Sequence, residues 1–120
     1  MWKKFPHFFT GYVYTFTMQN KNIEKAMKEL GFYSLRPVQE VANEKFKEGN
    51  SFAIQAETGS GKTLAFLYPS LQEIDENCGE TQLLILSPTR ELSIQTSNLA
   101  KKLATYAKIQ VVSCIGGIPI

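Results

Sequence analysis

Histidine and cysteine are scarce in this chain, which has one His and two Cys in 120 residues. Cys78 and Cys114 stand far apart, and neither has a second Cys or a His at metal-ligand spacing, so no zinc-type cluster is indicated. Two unpaired thiols point to a reducing compartment, with the cytoplasm expected and nucleus or organelle left open. An excess of one charge is also missing. The 13 basic and 11 acidic residues are interspersed and leave a net charge of +2, so no general polycation field advertises nucleic acid and any such binding must be local. The longest apolar runs are far shorter than the roughly 20 residues that cross a bilayer. The apolar fraction of 43% is ordinary for a globular protein, and the length is enough for one small core.

The stretch from Met1 to Thr17 differs from the rest: it is crowded with aromatic rings, carries Lys3 and Lys4, and no acidic residue occurs before Glu24. Pro6, His7, Thr10 and Gly11 interrupt the apolar run that a secretory signal needs, and the Arg expected of a mitochondrial presequence is absent. Three readings stay open: an extension preceding the fold, a targeting segment, or a start upstream of the true one at Met18.

From Asn20 onward the punctuation is regular. Asn22 is placed to cap a helix with Ile23, Ala26, Met27 and Leu30 on one face, and Gly31 to end it. Pro37 suits a first helical turn, and Val38, Val41, Ala42 and Phe46 continue an apolar face to Gly49. Residues 51–56 read as a short buried strand running into a glycine-rich segment. Lys62 opens a third helix to about Ile74, with Pro69 expected to kink it or shift its register. Residues 82–87, centred on Leu83-Leu84-Ile85-Leu86, have the continuous apolar character of a strand covered on both faces. Thr89 can cap a helix from Arg90 to about Ala107, with Leu92, Leu99, Leu103 and Tyr106 on one face, and 109–114 reads as another strand. Strands alternating with helices in this order predict an α/β fold with a parallel sheet.

Ala56-Glu57-Thr58-Gly59-Ser60-Gly61-Lys62-Thr63 carries the clearest chemistry. Surrounding a polyanion with backbone N–H groups requires bare backbone, which Gly59 and Gly61 provide. The helix opening at Lys62 adds its positive end, Lys62 a mobile charge for the β- and γ-phosphates, and the Thr63 hydroxyl a ligand for Mg²⁺. A nucleoside triphosphate, expected to be ATP, is the implied cofactor. Ala56 replaces the glycine that usually opens the pattern, a common variant. A plain strand-to-helix turn would need neither the Lys nor the Thr.

Other motifs flank this loop in order: Gly31-Phe32, then Pro37-Val38-Gln39, then Pro88-Thr89-Arg90-Glu91-Leu92, then Gly116-Gly117. With them the chain resembles the DEAD-box and related superfamily 2 RNA helicases, over about residues 14 to 120. The resemblance implies an ATP-binding RecA-like P-loop domain, present in part, with ATP and Mg²⁺ as cofactors and RNA as partner. It divides the chain into an extension at 1–19, a helical region carrying the glutamine motif at 20–50, and a partial ATP-binding domain at 51–120. It assigns Gln39 to adenine, and a carboxamide does complement the adenine N6 donor and N7 acceptor where guanine would mismatch both. Phe32 goes with the same site, and Tyr14, or alternatively Phe16, is the aromatic expected to stack on the base. Pro88, Thr89, Arg90, Glu91, Gly116 and Gly117 are assigned to nucleic acid, although a proline stop, a Thr cap and a first-turn Glu would stabilise a helix without any ligand.

The chain departs from the family at Leu35-Arg36, where Pro followed by Thr or Ser is usual. Arg36-Pro37-Val38-Gln39 is similar instead to the matching motif of RecQ-type DNA helicases. The departure removes the hydroxyl that normally ties this motif to the phosphate loop and leaves Arg36 to act near the nucleotide. The 120 residues contain no Asp-Glu-Ala-Asp and no Ser-Ala-Thr sequence, and a second lobe with arginine fingers is expected but not found in them. Hydrolysis needs a carboxylate for Mg²⁺ and water and cations for the transition state, so the expectation is a binding portion of a helicase, either a fragment or a truncated non-catalytic product.

Overall fold

The computed structural model describes residues 20–117, so the expectations for Tyr14, Phe16 and the extension at 1–19 lie outside the described residues. Regular structure among the described residues consists of helices: α1 at Lys21–Glu29, α2 at Pro37–Glu48, α3 at Lys62–Gln72 and α4 at Arg90–Ala104. They belong to two compact units. One comprises residues 35–73, in which α2 packs against α3; the other comprises residues 20–34 and 74–117, in which α1 packs against α4.

The helices begin and end where local chemistry dictates. Asn20, two residues before the expected cap, accepts the Asn22 N–H at 3.0 Å and starts α1. At the other end Gly31, with φ of 86°, lets its own N–H reach the Lys28 carbonyl at 3.0 Å and the Phe32 N–H reach Met27 at 2.8 Å. That pair of bonds satisfies carbonyls the helix leaves open. Ile23, Ala26 and Met27 form its buried stripe. Pro37 opens α2, where a missing N–H has no intrahelical partner to lose, and Gly49 closes it in the left-handed region. Ala42 is buried on α2, but Val41, expected beside it, is exposed, and the other fully covered residue is the polar Gln39.

Leu64, Ala65, Leu67 and Leu71 recur at helical spacing and make α3 the apolar centre of its unit. Removing a leucine of this kind from water is worth about 2 kcal/mol. Pro69 lies buried within α3, which runs on to Gln72 and stops short of Ile74. In α4 the covered face is Thr96, Ala100, Leu103 and Ala104, while Leu92 in its first turn and Tyr106 beyond its end are exposed. The helix ends at Ala104 rather than near Ala107.

The parallel sheet is the expectation that fails. Among the described residues, 51–56, 82–87 and 109–114 form no strand, and no backbone hydrogen bond joins any of them to another. Leu83 and Ile85 are half-buried whereas Leu84 and Leu86 are exposed, Leu86 to 85%, so one face of this run is covered and not two. An apolar run records that a segment avoids water; it does not record which distant segment lies one strand spacing away or in what register. The α/β assignment therefore gives way to helices joined by irregular segments.

Candidate nucleotide and nucleic-acid sites

The glycine-rich loop leads into the N-terminus of α3. Gly59 and Gly61 have φ of 81° and 94°, in the region that side chains disfavour. Gly61 is constrained twice, because a Cβ there would overlap Gln39 Nε2. The Ser60 N–H donates to the Glu57 carbonyl at 3.2 Å and closes the turn. Lys62, Thr63 and Leu64 then begin α3, and their N–H groups have no carbonyl one turn earlier in the helix, which makes that end electropositive.

Lys62 folds back over the loop it follows. Its Nζ donates to the carbonyl of Ala56 and, at 2.9 Å, to that of Glu57. Ala56 and Thr63 are half-buried, and Glu57, Thr58 and Gly59 are exposed. The Ser60 hydroxyl is buried with no hydrogen-bond partner among the described residues.

The start of α2 reaches the same loop. The Arg36 N–H donates to Gln39 Oε1 at 2.9 Å, closing the first turn of α2. From the other end of its carboxamide, Gln39 Nε2 donates to the Gly61 carbonyl at 3.2 Å. Gln39 is only 5% exposed, and after these bonds its amide retains one N–H and one acceptor lone pair. The Arg36 guanidinium donates to the Gly59 carbonyl at 2.7 Å. The structure thus brings Arg36, Gln39, Gly59 and Gly61 together, and two cations, Arg36 and Lys62, converge on a loop whose acidic residue is Glu57. Phe32 follows α1 and is exposed, in the unit that does not contain Gln39.

The proposed nucleic-acid residues lie in the unit of α1 and α4. Thr89 caps α4, its hydroxyl accepting the Leu92 N–H at 3.2 Å. Arg90 donates to the Gly116 carbonyl at 3.3 Å, so the segment before α4 and the glycine pair meet although 26 positions separate the two residues. Pro88, Thr89, Arg90, Glu91, Gly116 and Gly117 are all exposed, and Gly117 has φ of 83°.

Sequence reasoning missed the carbonyls of Ala56, Glu57, Gly59 and Gly61, which carry no residue-type signal. It also missed a polar cluster in which Glu76 accepts from Asn20 at 2.7 Å and Asn22 at 3.0 Å. The Asn22 bond, then the Asn20 bond, holds the Glu76 carboxyl below its ordinary value, slightly opposed by burial and assisted by Lys108. Two asparagines at the start of a helix signal its cap, and nothing in their spacing points to Glu76. Cys78 and Cys114 are exposed free thiols. Among the described residues no three His, Cys, Asp or Glu side chains gather as a metal site, and no helix is long and apolar enough to cross a membrane.

A family model for DEAD/DEAH box helicases matches residues 36–120. The chain is 40% identical over 107 residues to the ATP-dependent RNA helicase eIF4A of Debaryomyces hansenii, covering 88% of this chain and 27% of that protein. It is 40% identical over 97 residues to DEAD-box ATP-dependent RNA helicase 12 of Arabidopsis thaliana, covering 81% and 20%. A bacterial relative, the ATP-dependent RNA helicase CshA of Listeria monocytogenes, is 38% identical over 101 residues, covering 84% and 19%. The chain therefore spans about a quarter or less of the length of these relatives.

Proposed function

The chain belongs to the DEAD/DEAH box helicase family, and on that premise we propose that it is an ATP- and RNA-binding part of an ATP-dependent RNA helicase. The observation that carries this reading is a loop with two left-handed glycines that opens directly into a helix N-terminus beneath Lys62. Backbone N–H groups and the helix end receive the phosphates, and Lys62 exchanges the Ala56 and Glu57 carbonyls for phosphate oxygens. The residual N–H and lone pair of Gln39 suit adenine. The family resemblance also assigns Arg36, Phe32 and Tyr14 to nucleotide binding.

Mg²⁺ fits as a companion of the nucleotide. With no acidic cluster among the described residues, the Thr63 hydroxyl is the protein ligand and phosphate oxygens and water supply the others. Pro88, Thr89, Arg90, Glu91, Gly116 and Gly117 form the surface for an RNA backbone, where exposed N–H groups and the Arg90 charge meet phosphate. The named relatives are RNA helicases, which favours RNA over the RecQ-like DNA alternative raised by Arg36-Pro37-Val38-Gln39. The two free thiols, Cys78 and Cys114, fit a reducing, cytoplasmic location.

Calorimetric titration of the 120-residue chain tests the reading. ATP is expected to bind weakly, GTP more weakly, and Lys62→Ala to abolish both. No RNA-stimulated phosphate release is expected from these residues alone. If GTP competes as well as ATP and Gln39→Ala changes nothing, the adenine assignment is wrong. Turnover that Lys62→Ala abolishes would show that these residues suffice for hydrolysis.

A further inference from the structure

Arg36 occupies the N-cap of α2, a place usually held by a side chain that accepts a hydrogen bond. A guanidinium has no acceptor, so it can serve no such role. It reaches instead across 23 positions of sequence to the Gly59 carbonyl, at 2.7 Å. Three residues later, Gln39 holds the Gly61 carbonyl at 3.2 Å, an oxygen that also accepts the Ala65 N–H at 3.1 Å. The first turn of α2 therefore grips the carbonyls on both sides of Ser60.

We infer that Arg36 is a positioning residue for the phosphate loop: by holding the Gly59 carbonyl it fixes the peptide planes on which polyphosphate binding depends. The inference rests on the nucleotide-binding reading above. A trans peptide is planar, and its C=O and N–H point in opposite directions. Fixing the Gly59 oxygen on the side of α2 turns the Ser60 N–H to the other side, and the doubly held Gly61 oxygen does the same for the Lys62 N–H. Among the described residues the Ser60 N–H is engaged only by Glu57, at 3.2 Å, the long end of such bonds, so a phosphate oxygen can compete for it. Without the brace, Gly59 and Gly61 would be ordered at the expense of ligand affinity, because glycine gives up the most conformational freedom. Arg36 does this from the carbonyl side of the Gly59 peptide, not by touching phosphate.

The test uses the 120-residue chain and two variants, Arg36→Ala and Arg36→Lys, the second of which keeps a donor of nearly the same reach. In the ligand-free chain, Arg36→Ala is expected to move the NMR carbonyl signal of Gly59 and to speed amide exchange at Ser60; Arg36→Lys should restore both. Binding of inorganic tripolyphosphate, which has no base, and of ATP should weaken by the same factor, about three- to tenfold. The salt dependence of binding should be the same for Arg36→Lys as for the unaltered chain, since the charge is kept. Unmoved Gly59 and Ser60 signals, or a weakening confined to ATP, would each overturn the inference. If the unaltered chain binds neither ligand, the nucleotide reading and the claimed effect on affinity both fail, and the NMR arm still decides whether Arg36 holds the loop.

Discussion

The phosphate loop at 56–63 and the apolar run at 82–87 are two conspicuous segments of the sequence, and the structure treats them oppositely. In the loop, side chains from α2 and α3 take up the carbonyls of Ala56, Glu57, Gly59 and Gly61. Along Leu83-Leu84-Ile85-Leu86 no backbone group has a backbone partner among the described residues, and alternate leucines are exposed. The loop depends on a few residues with fixed local roles, and the run depends on a neighbour that its own composition does not specify.

The sharpest way to break this comparison is to trim one leucine from each kind of environment. Leu103 is fully buried in α4, and Leu103→Ala is expected to cost about 2–5 kcal/mol in denaturant unfolding. Leu86→Ser should change stability by no more than about 0.5 kcal/mol, because that side chain is already in water. A loss at Leu86 as large as at Leu103 would mean that the run is packed after all.

Gly61→Ala comes next. It places a Cβ at a positive φ and against Gln39 Nε2, so a loss of about 1–3 kcal/mol is expected together with loss of nucleotide binding. Gly59→Ala, with open space around the new Cβ, should show the backbone strain without the overlap. Equal effects at the two positions would remove Gln39 from the account.

Thr89→Ala removes the hydroxyl that accepts the Leu92 N–H and should cost about 1 kcal/mol. RNA affinity should fall less with Thr89→Ala than with Arg90→Ala if the Thr is chiefly a cap; the reverse order in a binding assay would make its hydroxyl part of the RNA surface.

The smallest expected effect concerns acid. Because the asparagines lower the Glu76 pKa in the folded chain, their contribution to stability is complete above the ordinary carboxylate range and is lost as pH falls through the depressed folded value. Glu76→Gln should flatten that part of the acid limb of a stability–pH curve, slightly lowering stability at neutral pH and leaving stability below the depressed value nearly unchanged. An unchanged acid limb would show that Glu76 gains nothing from Asn20 and Asn22.

What could be read in advance follows from the range of each interaction. Gly31, Pro37, Gly49, Gly61 and Thr89 delimit helices because caps and left-handed residues act within a few positions. The covered faces were less legible. Val41, Leu92 and Tyr106 have the right spacing yet are exposed, and Gln39 and Thr96 are buried, because the packing partner and not the period selects which residues are covered.

The sequence by itself determined the starts of α2, α3 and α4, the glycine positions of the loop, the place of Lys62 and the family, since all of these reside in residue types at short spacing. Only the tertiary structure decided that no strand pairs among the described residues and that Arg90 meets Gly116. It alone also decided that Arg36 and Gln39 close on the carbonyls of the loop. Those outcomes join backbone atoms far apart in the chain, and a carbonyl is the same group in every residue, so no choice of side chain announces which one will be held.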